Sequence, residues 1–299
     1  MTTILLTGKT GQVGWELQHT LAPLGILIAL GRDEMDHANP DSIRSAIRDA
    51  RPDVIVNAAG YTTVDKAEAE STLATQINAI APGIIAEEAK RIGAPLIHYS
   101  TDYVYDGEQG RPYTEDDAPN PVNTYGKSKL AGERAIQAVG GTYLILRTSW
   151  VYSGRGSNFV LSILRLAREK PVLSVVNDQI GSPSWARALA KATAEILGKS
   201  GRFPDNSGIY HLSADGHTSR YEFANAILRI TRGISGAGDG WASVTPVTSD
   251  QYPSLPARRP RNVVTSKEWV KKAFGVEMPH WERQLEEFLR QHAVSAAPP

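Results

Sequence analysis

Cysteine is absent from this 299-residue chain. That excludes a disulfide framework and any thiolate nucleophile, and it fits the cytosol. Charge of one sign is also missing. The 32 basic and 32 acidic residues cancel, against the basic excess of a dedicated nucleic-acid binder. No apolar run approaches the ~18 residues of a membrane span. The first residues, Met1-Thr2-Thr3-Ile4-Leu5-Leu6-Thr7, lack the basic start and the length of a signal peptide. The seven histidines show no H-E-x-x-H or other ligand spacing, so no catalytic metal is expected. There is no internal repeat. What remains is a composition of 41% hydrophobic and 21% charged residues, that of a globular protein with one large domain and a smaller lobe.

The first half alternates strand and helix. Ile4-Leu5-Leu6 reads as a buried strand, Ile26–Leu30 as a second, Asp53–Asn57 as a third, Leu96–Ser100 as a fourth and Tyr143–Arg147 as a fifth. Helical patterns lie between them, which predicts an α/β doubly wound parallel sheet. The stretch 64–93 reads as one long helical region with a break at Pro82, where a proline removes an interior hydrogen bond. After Tyr152 the regularity fades. Helices are expected at 158–169, 185–197, 221–230 and 280–292, strands at 172–176 and 209–212, and a glycine-rich loop at 234–240. This second half reads as a smaller lobe interleaved with the sheet domain. The expected division is 1–152 and 153–299.

Gly8-Lys9-Thr10-Gly11-Gln12-Val13-Gly14 follows the first strand and opens a helix. Glycines there let a backbone approach phosphates, and the helix end supplies N–H donors, so this is a pyrophosphate site. The spacing is G-x-x-G-x-x-G, a loose form of the dinucleotide fingerprint. Gly8-Lys9-Thr10 also mimics the end of a P-loop, but position 3 is Thr3 rather than glycine, which rejects that reading. The second strand ends at Leu30-Gly31-Arg32 without the acid that binds a ribose 2′-hydroxyl. Arg32 suits a 2′-phosphate, which favours NADPH; Asp33 and Glu34 follow at once, so NADH stays possible. Ala58-Ala59-Gly60 ends the third strand with small residues where a ligand can lie against the backbone. Thr101-Asp102-Tyr103 follows the fourth strand, at the sheet edge where ligands bind.

Tyr125 and Lys129, in Thr124-Tyr125-Gly126-Lys127-Ser128-Lys129, lie four apart and share a helix face. A lysine cation near a phenol favours the phenolate. Such a tyrosine can give a proton to a carbonyl oxygen or take one from an alcohol.

These motifs together resemble an extended short-chain dehydrogenase/reductase. More closely, the glycine turn, Val64-Asp65-Lys66-Ala67-Glu68, Ser100-Thr101-Asp102-Tyr103-Val104, Tyr125-Gly126-Lys127-Ser128-Lys129, Arg147-Thr148-Ser149-Trp150-Val151-Tyr152 and Asn177-Asp178-Gln179 resemble the dTDP-4-dehydrorhamnose reductase family. The resemblance covers residues 1–290 and implies a Rossmann-type sheet with an α/β substrate lobe. It implies NAD(P)H-dependent reduction of a 4-keto dTDP-sugar in the cytoplasm, with no nucleic-acid or membrane partner. Tyr125 is then the proton donor, Lys129 holds the nicotinamide ribose and lowers the tyrosine pKa, and Thr101 binds the carbonyl oxygen. Gly8, Gly11, Gln12, Val13 and Gly14 lie on the pyrophosphate and Asp36 and His37 near the adenine. Ala58, Ala59, Gly60, Tyr61 and Thr62 run along the cofactor. Asp102 and Trp150 touch the sugar nucleotide, although Trp150 alone could be a core aromatic and Asp102 a turn cap. Arg258, Arg259 and Arg261 either meet the diphosphate or form a solvated face. Some relatives hold a magnesium ion between acids at a dimer interface; Pro183–Arg187 carries no acid, and monomer and homodimer both stay open. Two other readings are a non-catalytic dinucleotide-binding regulatory subunit and a nucleotide-sugar epimerase or dehydratase.

Overall fold

A computed structural model describes residues 1–199, 203–235, 241–251 and 255–292. Its strands are β1 (Thr3–Thr7), β2 (Ile26–Leu30), β3 (Val54–Asn57), β4 (Leu96–Thr101), β5 (Tyr143–Thr148), β6 (Val151–Tyr152), β7 (Val172–Val176), β8 (Ile180–Gly181), β9 (Ser184–Trp185), β10 (Gly208–His211), β11 (Thr218–Ser219) and β12 (Ser243–Val247). Its α-helices are α1 (Gln12–Leu21), α2 (Pro40–Ala50), α3 (Val64–Ala69), α4 (Ser71–Thr75), α5 (Ala81–Ile92), α6 (Thr124–Val139), α7 (Phe159–Glu169), α8 (Ala186–Gly198), α9 (Arg220–Ser235), α10 (Glu268–Phe274) and α11 (Trp281–His292).

Six strands form one parallel sheet in the order β10-β5-β4-β3-β1-β2. Chain direction across the sheet reverses between β1 and β3, which opens a crevice at their carboxyl ends. Both faces are covered, so the central strands are apolar on both sides. On one face Leu17 and Leu21 of α1 meet Leu189 and Ile196 of α8 over Ile4 and Leu6. On the other, Ile43 and Ile47 of α2 and Ile84 and Ile85 of α5 pack on Leu5 and Ile55. The strands expected at 26–30 and 172–176 have those bounds. No helix among the described residues is long and apolar enough to cross a membrane.

The second half supplies both a lobe and a return. Its own core gathers Tyr152, Trp185, Phe223, Trp281 and Phe288. Yet α8 and β10 belong to the sheet domain, β10 pairing with β5 through Ile209↔Ile145 and Tyr210↔Leu146.

Beyond the unexpected two-residue strands β6, β8, β9 and β11, three elements differ from expectation. The stretch 64–93 is not one helix broken at Pro82. It breaks at Glu70, resumes as α4, widens into a π-helical turn at Gln76–Ile80 and continues as α5. The wide turn just precedes Pro82, so the missing N–H falls in the first turn of α5, where prolines are tolerated. Strand β12 is not among the expected elements. It contains Pro246 and pairs with β7 in a two-stranded ribbon, an edge position that a proline can occupy. Helix α10 is not among them either. Of the expected glycine-rich loop at 234–240, Ile234 and Ser235 instead end α9, and residues 236–240 lie outside the described residues.

Candidate active site

The glycine turn is packed too tightly for side chains. Gly8 has φ +75°, and a Cβ on it would stand 2.7 Å from the Ala59 amide nitrogen. A Cβ on Gly14 would stand 2.0 Å from the Gly8 carbonyl oxygen. So α1 begins directly above β1 and β3. Gly11 caps that helix without a side chain, and the first turn carries no acid, which leaves the N–H groups and positive end open to an anion. Gln12 Oε1 accepts from Ser153 Oγ at 3.0 Å and from Asn158 Nδ2 at 2.9 Å, tying the turn to the second lobe. Val13 packs on the sheet-domain core.

Beyond β2, Glu34 folds back. It pairs with Lys9 at 2.6 Å and accepts from the Gly31 amide at 2.6 Å. The lysine bond holds this carboxyl below its ordinary range. The acid that sequence spacing missed at position 30 or 31 therefore reaches the strand end from position 34. Arg32 is exposed, 3.9 Å from Asp36. His37 is buried with neither ring nitrogen bonded, and burial first, eased by Asp36, brings its pKa down to about 4.

Ala58, Ala59 and Gly60 leave the end of β3 with the two alanines half-buried and Gly60 exposed. Asn78, in the π-helical turn, holds the next residue by both amide ends: Oδ1 accepts from the Tyr61 nitrogen at 2.8 Å and Nδ2 donates to the Tyr61 carbonyl at 2.9 Å. Nδ2 also donates to Ser128 Oγ at 3.0 Å, on α6. The Tyr61 hydroxyl donates to Glu70 at 2.6 Å on the surface. Thr62 is exposed beside it.

Helix α6 carries Tyr125 and Lys129 and is fixed at its start. Asn123 caps it at 2.8 Å, and Glu68 takes both the Thr124 amide and hydroxyl. That accounts for Glu68 in the motif at 64–68. Asp65 of the same motif grips Arg259 at 2.7 Å. Lys129 is buried, with Nζ donating to the Tyr99 carbonyl at 2.6 Å and lying 3.2 Å from His98 Nε2. Burial lowers its pKa to about 8. Tyr125 is half-buried and edge-on to Tyr103 at 5.9 Å. Burial pushes the phenol up, with Thr101 opposing. The lowering expected from Lys129 is absent from this geometry, because the lysine's bonds run to β4 instead.

Thr101 ends β4, accepts from the Tyr103 amide at 3.1 Å and donates to Asp102 Oδ1 at 3.2 Å. Asp102 is buried and accepts from Ser149 Oγ at 2.5 Å; burial raises its pKa to about 7 against those bonds. Trp150 follows β5 at φ +42°, a strained value for a residue with a side chain. Its indole rests where a Cβ on Gly181 would stand 2.5 Å away. The Arg220 guanidinium lies 3.6 Å over the ring. Sequence reading missed Arg220, Gly181, Asn78 and Ser149. Of the basic cluster, Arg258 and Arg261 are exposed and face Glu108 and Asp250. Only Arg259 is near enough to bear on Tyr103 and Arg220. Among the described residues no group of three or more His, Cys, Asp or Glu is placed to hold a metal ion.

A parallel sheet with a glycine turn at its switch point, and a Thr–Tyr–Lys set on the same edge, defines a dinucleotide-dependent oxidoreductase of the short-chain dehydrogenase/reductase type. The family described as RmlD substrate binding domain matches residues 1–294. A dTDP-4-dehydrorhamnose reductase of Burkholderia thailandensis is 46% identical over 93% of this chain and 95% of its own length. One from Escherichia coli K12 is 44% identical over 98% and 99%. Among solved structures, a dTDP-4-dehydrorhamnose reductase from Bacillus anthracis in complex with NADP is 34% identical, with a TM-score of 0.88 over 97% of this chain and 99% of that one. The chain belongs to the dTDP-4-dehydrorhamnose reductase family. A UDP-glucose 4-epimerase from Thermus thermophilus shares the fold alone, at 18% identity and a TM-score of 0.79.

Proposed function

We propose that this protein reduces the C4 keto group of dTDP-4-dehydro-6-deoxy-L-mannose with NADPH, giving dTDP-L-rhamnose. The observation that carries this is the meeting of Thr101, Tyr125 and Lys129 at one sheet edge, beside a tryptophan and an arginine from the other lobe. The cofactor fits what the chain offers: an uncapped helix end free of acids, backbone with no room for Cβ atoms, and a buried histidine with two free ring nitrogens.

NADPH, when bound, supplies a hydride to the carbonyl carbon. The chain supplies the rest. Gly8, Gly11, Gln12, Val13 and Gly14 receive the pyrophosphate, Asp36 and His37 the adenine end, and Arg32 the 2′-phosphate. Ala58, Ala59, Gly60, Tyr61 and Thr62 line the path between. Tyr125 gives its phenolic proton to the developing alkoxide, and Thr101 holds that oxygen in line. A neutral phenol, favoured by burial, is the form that a reductase needs at the start of the step. Trp150 covers the apolar face of the 6-deoxy sugar, and Asp102 takes a sugar hydroxyl. In this reading residues 1–152 bind the cofactor, and 153–299 mainly build the substrate lobe.

Purified protein with this keto sugar and NADPH, followed by nicotinamide absorbance, tests the activity. dTDP titrated against the cofactor-loaded protein tests the substrate class. Competition with the sugar but not with NADPH supports the reading. No binding at millimolar dTDP, or release of NADPH by it, sinks the sugar-nucleotide assignment.

A further inference from the structure

A buried polar chain crosses three strands beneath the candidate site. Thr7 Oγ1 on β1 donates to Asn57 Oδ1 on β3 at 2.7 Å, and the Ala59 amide donates to the same oxygen at 3.2 Å. Those contacts orient the Asn57 amide, because turning it would aim its NH2 group at the Ala59 N–H. Asn57 Nδ2 therefore faces His98 Nδ1 on β4, at 3.0 Å. An amide nitrogen only donates, so Nδ1 accepts and bears no proton. A neutral imidazole then carries its single proton on Nε2. Burial keeps the ring neutral by holding its pKa well below the ordinary value.

That Nε2–H meets Lys129 Nζ at 3.2 Å. An ammonium has three donors and no lone pair; an amine has one lone pair to offer. The contact is satisfied only by the amine, which accepts from His98 and donates to the Tyr99 carbonyl at 2.6 Å. The other groups facing this nitrogen do not reverse the preference. Tyr125 lies one turn back on α6 as a neutral phenol. Glu133 lies one turn ahead, but its carboxylate is held by Arg147 and Ser100. His37, with Asp36 beside it, faces the nitrogen from the segment after β2, and a neutral His37 offers it no anion. Gly60 approaches from β3 with backbone alone.

We propose that His98 is a positioning residue for Lys129: set by Asn57 as the Nε2–H tautomer, it holds the lysine as a neutral amine in the cofactor-free protein at mildly alkaline pH, so that NADPH binding there draws one proton onto Lys129. The inference rests on the cofactor reading above. Ribose hydroxyls give the nitrogen new acceptors, and the cofactor's negative charge favours the ammonium.

Calorimetric titration of the full chain with NADPH, in two buffers of different ionisation enthalpy, counts the protons taken up. At pH 9 the cofactor phosphates are fully ionised, and the chain has no cysteine to titrate there. Uptake close to one proton at pH 9, fading by pH 6.5, is expected for the native protein. Asn57→Asp places an acceptor against Nδ1 and moves the imidazole proton to that side. Nε2 then accepts from a lysine already charged, and uptake at pH 9 falls toward zero while NADPH still binds. Binding at pH 9 with heat independent of buffer overturns the inference and leaves the cofactor reading standing. Full uptake retained in a folded Asn57→Asp overturns the role of His98. Failure of NADPH to bind removes the reading and the inference together. Should Asn57→Asp not fold, the native protein's two pH values decide alone.

Discussion

At the scale of single residues, the site separates groups that do chemistry from groups that aim them. In the proposed mechanism Tyr125 gives the proton, with Tyr103 edge-on beside it. Tyr125→Phe removes the proton and little else. Turnover is expected to fall about 10²–10⁴-fold, with NADPH affinity unchanged in a direct binding titration. Activity within a few-fold of the native protein would remove Tyr125 from the mechanism. In the proposed reading, cofactor choice falls to the end of β2. Arg32 is exposed and only loosely paired with Asp36, free to swing onto a phosphate. Lys9, by contrast, is committed to Glu34. Arg32→Ala should weaken NADPH about tenfold, or about 1.4 kcal/mol, and NADH much less. Equal losses in the two dissociation constants would show that Arg32 does not read the 2′-phosphate.

At the scale of elements, the decisive contact is helix α6 against the π-helical turn at Gln76–Ile80. The wide turn projects the Asn78 carbonyl, and α6 rests on it through a glycine: a Cβ on Gly132 would stand 2.0 Å from that oxygen. Gly132→Ala must push α6 outward and carry Tyr125 and Lys129 with it. A loss of about 1–3 kcal/mol or more in urea unfolding is expected, with turnover lower still. Gly198→Ala is the control, since nothing lies within 4 Å of the added Cβ. If both variants behave alike, the close approach of α6 is not what fixes the site. Much of this level was legible in the sequence, because strand runs and the Tyr125/Lys129 spacing are local patterns. The glycine turn was legible for the same reason. The π turn was not, since a proline announces a disturbance without saying that a widened turn will absorb it. Nor was Arg220, which reaches Trp150 from 70 positions away only because β8 and β11 pair antiparallel. The sequence leaves the basic cluster open between diphosphate contact and a solvated face: its three arginines scatter to Glu108, Asp65 and Asp250.

At the scale of the whole molecule, burial of ionisable groups couples the fold to pH. His37, His98 and His211 are all buried and neutral, with His37 lowered to about 4 and His211 to about 3 chiefly by burial. The sign follows from proton counts. Near pH 5 the unfolded chain protonates all three, near their ordinary value of about 6.5, while the folded chain protonates none. The unfolded state therefore binds three more protons, and stability falls as pH drops below that value. Asp102 works the other way. Burial lifts its pKa to about 7, so the folded chain holds a proton there that the unfolded chain has lost. The net excess is about two protons, which gives a slope of about 3 kcal/mol per pH unit near pH 5. Glu115, also raised by burial, flattens the slope further as pH nears the carboxylate range. Below that range the surface cluster adds its own loss. Glu88, bonded by Arg48 and Arg91 and lowered to about 2, stabilises the fold above its ordinary range and ceases to as it protonates. Urea unfolding of the cofactor-free protein between pH 7 and pH 5 measures the slope. His211→Gln should flatten it by about one proton, or about 1.4 kcal/mol per pH unit, because His211 is held neutral between the Tyr105 hydroxyl and the Ser266 carbonyl. A stability that is flat across this window, or a slope untouched in His211→Gln, would mean that these histidines are not held neutral in the fold.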